Sequence, residues 1–441
     1  MKIFRDPVHN VIDLDSGCKN ANELLIKLID SKEFQRLRRI KQLGFAEFSY
    51  PNATHTRFAH SLGVAFLMKR FLDKIISIEA RTMDYCRRFE ELSKHKDKLI
   101  DFFKQINKDK PHAIVAALLH DVGHGVLSHV TESVTNIKHE DWTRAIILGN
   151  TDINKFLKEY DANYPEKIYD ILSSAGNHLS VSRIIDGTID VDKMDYLLRD
   201  SHMTGSGYGK FDIEWLLNVL TVGIKNEQVV IGFDEGKGLS VAEDFVMARI
   251  YMLENVYLHK VAIVAQKMLA LLFQRINELS QKGTVCPFPT KSMERIFINH
   301  ASNADEMLLD YLSISDEHLL FLLHSLQTSN DYALRRLSGG LYNRTLFKEI
   351  HSNHWNGFDA YIKDTMGVEA KYYGFEVKVD SAKEKLIYRA GKDEIYLFGK
   401  DGSGNELLNK TLMVSRITYI NPNPVRYYVD DEIYQQYLSS I

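Results

Sequence analysis

The segment AALLHDVGHGVLSHV, residues 116–130, is the most informative stretch of this chain. Its apolar start reads as the end of a helix that delivers His120 and Asp121 together, after which Gly123 and Gly125 break or loosen it. His124 follows His120 by four positions, near the same face if the helix persists that far. An imidazole beside a carboxylate offers one nitrogen and one oxygen donor to a single divalent ion. That mixture suits Fe, Mn, Zn, Co or Ni better than an ion that prefers oxygen alone. Taken by itself, the pair reads more simply as a helix C-cap with a few surface polar groups.

Two further segments change the balance. HTRFAHSLGVAF (55–66) puts Arg57 and His60 one turn apart at the head of an apolar helix running to about Leu72. In IDVDKMDYLLRD (189–200), Asp192, Tyr196 and Asp200 fall at i, i+4 and i+8, while Val191, Met194, Leu197 and Leu198 supply a buried side. Three polar groups on one face of such a helix need partners if buried. A metal with a bound phosphate would serve; so would a surface ladder with Lys193 and Arg199.

His60, His120-Asp121 and Asp192 together form an H…HD…D pattern, and with it come DPVHN (6–10), FQRLRRIKQLG (34–44), LLHDVGHGVLSH (118–129), VDKMDYLLRD (191–200) and VYLHK (256–260), in order. This set resembles the HD-domain deoxynucleoside triphosphate triphosphohydrolases (dNTPases), including the catalytic region of those members that carry an added sterile-alpha-motif domain. Without that domain, a bacterial-type member is expected. The resemblance covers roughly the first 260 residues.

The resemblance implies that His60, His120, Asp121 and Asp192 hold a divalent ion, which arms a water against the α-phosphorus of a dNTP; Mg would accompany the triphosphate. The products are a deoxynucleoside and intact triphosphate. His124 matches the catalytic histidine that protonates the leaving oxygen, and His129, Glu132 and His139 match its supporting groups. The family usually has Asp where this chain has Glu132. Arg57, Lys193 and Arg249 match phosphate contacts, with Tyr196 adding a hydroxyl. Gln42, Leu43, Asp200 and Tyr257 match the deoxyribose seat, where Leu43 would exclude a 2′-hydroxyl.

Lys2, Asp30, Gln35 and Arg38 match a guanine-nucleotide regulatory pocket between subunits, so a GTP-like activator and a homo-oligomer (dimer or tetramer) are expected. A plainer reading makes Lys2 a loose terminus and Asp30 an N-cap for the next helix. His259 and Lys260 match a second regulatory pocket, but family arginines are replaced near Glu235, at Trp215 and at Gly339. Alternatives within the same chemistry are a 5′-nucleotidase, an alarmone hydrolase or a cyclic-nucleotide phosphodiesterase. A different class, a nucleic-acid-binding or nucleotide-sensing protein, is possible but not favoured.

Composition agrees with that ranking. The 441 residues are 45% hydrophobic and 26% charged with net charge -4, so no broad basic field advertises nucleic acid or membrane. Three scattered cysteines without a CxxC pair read as reduced thiols of a soluble, cytoplasmic protein. Neither a signal peptide nor a membrane span is evident.

The expected fold is mainly α. Residues 1–20 read as an N-terminal strand and turn, 21–325 as a helical HD phosphohydrolase body, and 326–441 as a smaller C-terminal α+β lobe. Ser240 and Glu243 read as a capping box opening a long helical stretch to about Leu279. KYYGFEVKV, KLIYRA, EIYLFGK and the run around MVSRITYI read as strands, with turns at Gly391-Lys392-Asp393 and Asp401–Gly404.

Overall fold

Apolar residues at helical spacing build the centre of the molecule. Thr56 is the N-cap of the helix Arg57–Ser77, on which Phe58, Leu62, Ala65, Met68, Phe71, Leu72 and Ile75 are buried. It packs along the helix Lys96–Leu119 and against the helix Val191–Thr204. The Lys96–Leu119 helix starts polar and ends with every residue from Ala113 to Leu119 buried, so its last turns run through the core. Cutting such a side chain to alanine, as in Phe71→Ala, costs about 3–5 kcal/mol. This computed structural model describes residues 2–127, 129–174, 179–298, 303–378, 394–411, 413 and 425–441, the side chains at 129, 130, 133 and 179 lying outside that set.

The protein is mainly α, with three small sheets among the described residues. The N-terminal segment forms an antiparallel hairpin of β1 (Ile3–Asp6) and β2 (Asn10–Asp13). A second hairpin, β3 (Leu220–Lys225) and β4 (Gln228–Asp234), interrupts the helical run. β7 (Tyr396–Phe398) joins it in parallel, with Phe233 opposite Leu397, and β8 (Gly404–Glu406) completes the order β3-β4-β7-β8. The third sheet has the order β5-β9-β6, from Lys348–Ile350, Val425–Val429 and Gly374–Lys378. KYYGFEVKV and EIYLFGK thus contribute β6 and β7. KLIYRA, the turn at 391–393 and the strand read around MVSRITYI lie outside the described residues.

Two local expectations are corrected. The capping box at Ser240 is not formed, because the helix Leu239–Met252 begins two residues earlier than that box requires, with Gly238 at its N-cap; Glu243 instead accepts from the Thr411 hydroxyl. The stretch to Leu279 is not one helix either. A π turn at Leu253–Tyr257 separates Leu239–Met252 from Lys260–Gln281, with a bend of 59°. Among the described residues no single helix is long and apolar enough to cross a membrane. Cys18, Cys86 and Cys286 are free thiols.

Candidate metal centre and nucleotide site

Three helix ends meet at one point. The Lys96–Leu119 helix stops at His120, which is its C-cap, so His124 is presented by the following turn rather than by a continued helix. Gly123 allows this turn to press against the next helix: a Cβ there would lie 2.3 Å from the His139 carbonyl oxygen. His60 comes from the first turn of Arg57–Ser77, and Asp192 from the first turn of Val191–Thr204, whose N-cap Asp190 accepts from Lys193 N.

His60 Nε2 lies 2.9 Å from Asp192 Oδ1 and 3.5 Å from Asp121 Oδ2. His120 Nε2 lies 3.4 Å from Asp121 Oδ1 and 3.5 Å from Asp192 Oδ1. Donors held about 2.1 Å from one ion, at tetrahedral or octahedral angles, stand roughly 3.0–3.4 Å apart, so the spacing fits a shared cation. The tautomers fit as well. His60 Nδ1 pairs with Asp195 Oδ2 at 2.8 Å, and His120 Nδ1 donates to the Ala117 carbonyl at 2.8 Å. Each imidazole therefore turns Nε2 inward, as the atom free to bind a cation once its proton is displaced. Both Nε2 atoms are buried and make no hydrogen bond among the described residues. His60, His120 and Asp192 form one metal-capable group there, and Asp121, His124 and His139 a second.

Electrostatics separate these imidazoles. Burial opposes charge on His60, yet Asp192 and Asp195 outweigh it and push the group up to about 10. His120 is raised for the same reason, burial being overcome by Asp121 and Asp192. His124 goes the other way: burial and then the Arg57 guanidinium hold it well below the usual imidazole range. Its Nε2 is 3.3 Å from Asp121 Oδ1, while Arg57 reaches Asp121 Oδ2 at 2.5 Å. The His124 ring stacks on His139, centroids 4.0 Å apart, and His139 Nδ1 meets Glu132 Oε1 at 2.7 Å. Glu132 thus reaches His139 despite being longer than Asp. The side chain of His129 lies outside the described residues.

Further along the Val191–Thr204 helix, Asp200 is buried and accepts from Tyr257 OH at 2.8 Å, with His55 Nε2 2.7 Å from its other oxygen. The surface ladder considered for this helix is not what Asp192 and Asp200 join. Lys193 pairs with Asp190 at 2.5 Å, and Arg199 with Asp195 and Asp6. The Tyr196 and Tyr257 rings are 6.2 Å apart. Gln42 and Leu43 precede the short helix Gly44–Phe48, and Gln42 N donates to the His55 carbonyl at 2.9 Å. Lys193 and Arg249 line a cavity of about 1160 Å³. Arg249 is 4% exposed, and its Nε and one terminal nitrogen have no hydrogen-bond partner among the described residues.

The four residues matched to the guanine-nucleotide pocket are neighbours. Lys2 pairs with Asp30, Gln35 Nε2 donates to the Ile29 carbonyl at 2.7 Å, and Arg38 donates to Gln35 Oε1 at 2.9 Å. The plainer role for Asp30 is excluded, because Ser31 caps the helix Lys32–Arg36. His259 is the N-cap of Lys260–Gln281, and Lys260 lies 4.0 Å from Glu349. Three residues at the centre were not singled out from sequence, His9, His55 and Asp195, and Arg199 figured there only in the surface ladder. The signal for His9 was DPVHN itself, whose partner stands 186 residues away.

Residues 57–200 match the HD domain family. The uncharacterised protein YwfO of Bacillus subtilis is 31% identical over 95% of this chain and 89% of its own length. Deoxynucleoside triphosphate triphosphohydrolase SAMHD1 of Gallus gallus is 26% identical over 79% of this chain and 56% of its own. Among solved structures, a phosphohydrolase from Bacteroides thetaiotaomicron aligns with TM-score 0.76 at 26% identity, covering 97% of this chain and 98% of that one. The donor set, the matched domain and the near full-length likeness to YwfO converge: this chain belongs to the HD-domain phosphohydrolase family.

Proposed function

We propose that this protein hydrolyses dNTPs to a deoxynucleoside and inorganic triphosphate. The observation that carries the reading is the layout of one helix. Asp192 stands at the donor cluster, Lys193 beside the Arg249 cavity, and Asp200 with Tyr257 and His55 two turns on. A metal-facing end followed by cations and then by a seat of buried hydrogen-bonding groups suits phosphates followed by a sugar. The chicken relative's activity supports the same substrate class.

His60, His120, Asp121 and Asp192 would hold the ion, and two imidazoles with two carboxylates suit Fe, Mn, Co, Ni or Zn, Mg travelling with the triphosphate. Such an ion supplies activation of water and neutralises charge on the phosphate. Arg57, Lys193 and Arg249 bind the triphosphate, which carries about four negative charges. Those charges offset Arg57, so His124, otherwise kept neutral by burial and Arg57, takes up a proton from solvent as substrate arrives. It then gives that proton to the departing 5′-oxygen, a poor leaving group as an alkoxide. His139 and Glu132 hold His124, His139 by stacking on it and Glu132 by its hydrogen bond to His139, with His129 a further candidate for this role.

Gln42, Leu43, Asp200 and Tyr257 seat the deoxyribose, and Tyr196 donates to a phosphate. A GTP-like nucleotide at Lys2, Asp30, Gln35 and Arg38 promotes assembly of a dimer or tetramer; His259 and Lys260 belong to a second, weaker pocket. Chromatography of products from a panel of dNTPs and NTPs tests the reading, with Mn, Fe, Co or Mg and with or without GTP. Intact triphosphate from dNTPs is expected. Orthophosphate, pyrophosphate or a linearised cyclic nucleotide as the main product would replace this reading by another phosphohydrolase.

A further inference from the structure

Behind His60 lies a buried ionic cluster that the reaction does not use. Asp195 carries it. One oxygen meets His60 Nδ1 at 2.8 Å and Arg199 Nε at 2.8 Å; the other meets His9 Nε2 at 2.6 Å and an Arg199 terminal nitrogen at 2.9 Å. Arg199 also donates to Asp6 Oδ2 at 2.7 Å. Asp6 shapes the turn that delivers His9, because its Oδ1 accepts from the amides of Val8 and His9, both at 2.9 Å. The His9 ring rests on Phe66, centroids 5.5 Å apart.

The Arg57–Ser77 helix is cut away to admit this cluster. A Cβ on Gly63 would lie 1.8 Å from Asp195 Oδ1 and 2.5 Å from an Arg199 terminal nitrogen. Any larger residue would push Asp195 off His60. Besides His60, the donors to Asp195 come from two places: Arg199 from the same helix, and His9 from the β1–β2 turn, far away in sequence. Only the second can be withdrawn without unwinding a helix.

We infer that His9 is a positioning residue for the metal centre, so that docking of the N-terminal hairpin sets how tightly the centre holds its ion. This rests on reading His60, His120, Asp121 and Asp192 as metal donors. With His9 in place, Asp195 is held on both oxygens and the His60 ring points its Nε2 at Asp192. With His9 removed, Asp195 loses a donor on the side opposite His60 and follows Arg199, and the His60 ring loses its fixed orientation.

The test is Mn²⁺ affinity of the full-length protein, by calorimetry and by competition with a chelator, with circular dichroism and Tm as controls for folding. His9→Ala is expected to weaken Mn²⁺ binding about tenfold to a hundredfold, the usual effect of losing a group that orients a ligating histidine. His9→Gln keeps an N–H donor in reach of Asp195 and is expected to recover most of that loss. Unchanged affinity in His9→Ala overturns the inference, and so does an equal loss in both variants, which would mark a packing effect. Should His9→Ala not fold, His9→Gln decides alone: a folded protein with a loss of about tenfold or more overturns it. Mn²⁺ binding requires no nucleotide. Tight binding without dNTP hydrolysis therefore removes the substrate reading and leaves this one standing, whereas a wild type that binds no Mn²⁺ removes both.

Discussion

Two histidine clusters share Asp121, and they are built for opposite ends. In the first, His60 and His120 have their outer nitrogens tied to Asp195 and to the Ala117 carbonyl, and their inner nitrogens face Asp192. In the second, His124 is stacked on His139, with the charges of Asp121 and Arg57 acting on it. Carboxylates dominate one pocket and favour positive charge there; burial, with the Arg57 guanidinium, disfavours a proton in the other. On the proposed reading, the same residue type serves as a cation donor or a proton carrier according to which charge stands beside it.

The clusters also differ in the carboxylate that braces each from behind. Asp195 is surrounded by Arg199, His60 and His9; burial opposes its charge, but Arg199 and the two imidazoles hold it well below the usual range. Asp316 accepts from the amides of Leu127 and Lys41, at 2.9 and 2.8 Å, bridging the turn after His124 to the loop of Gln42 and Leu43. Among the described residues it has no comparable ion pair, and burial pushes it up to about 6.

Substitutions can separate the two halves. The largest effect is expected from Asp192→Ala, which removes a donor from the first cluster: bound Mn should be lost and dNTP hydrolysis should fall by about 10⁴-fold. Metal content by elemental analysis, measured beside the rate, checks it. His124→Ala should lower kcat by about a hundredfold to a thousandfold while Mn content stays at the wild-type level. If both variants lose metal alike, the division between the clusters fails.

Asp316→Ala probes the brace of the second cluster through pH. A carboxyl raised in the fold favours its protonated form there, so its contribution is full below about pH 4 and declines as pH rises through about 6. The unfolding penalty of Asp316→Ala should therefore shrink between pH 4.5 and 7.5, by roughly 2 kcal/mol. Urea titrations at the two pH values measure it, and a penalty that grows with pH contradicts the assignment. The smallest effect belongs to Leu43→Ala, which should shift the rNTP-to-dNTP ratio of kcat/KM by about tenfold toward ribonucleotides. An unchanged ratio removes Leu43 from sugar selection.

Much of the centre was legible because its residues stand in short local patterns. His120-Asp121, Arg57 with His60, and Asp192 with Asp200 each announce themselves within one or two helical turns, and the structure brings all six into one region. The brace was not legible. His9 and Asp195 are 186 residues apart, and Gly63 reads as an unremarkable small residue until the carboxylate beside it is located. The helical class followed from apolar periodicity, whereas the pairing of β4 with β7 joins Phe233 to Leu397, and nothing local in either strand specifies the other. The break at Leu253–Tyr257 was missed for a related reason: its residues keep the apolar spacing of their neighbours, and only the backbone departs from it.

The Val191–Thr204 helix acts as a ruler. Asp192 and Asp200 are eight residues apart, roughly 12 Å of rise, and every group between them is spaced by the backbone rather than by loops that could adjust. One inserted residue in that interval would rotate everything beyond it by about 100° and carry Asp200 away from His55 and Tyr257. Substitutions can retune this protein one contact at a time, but a change in the length of that rod would unseat one end of the site from the other.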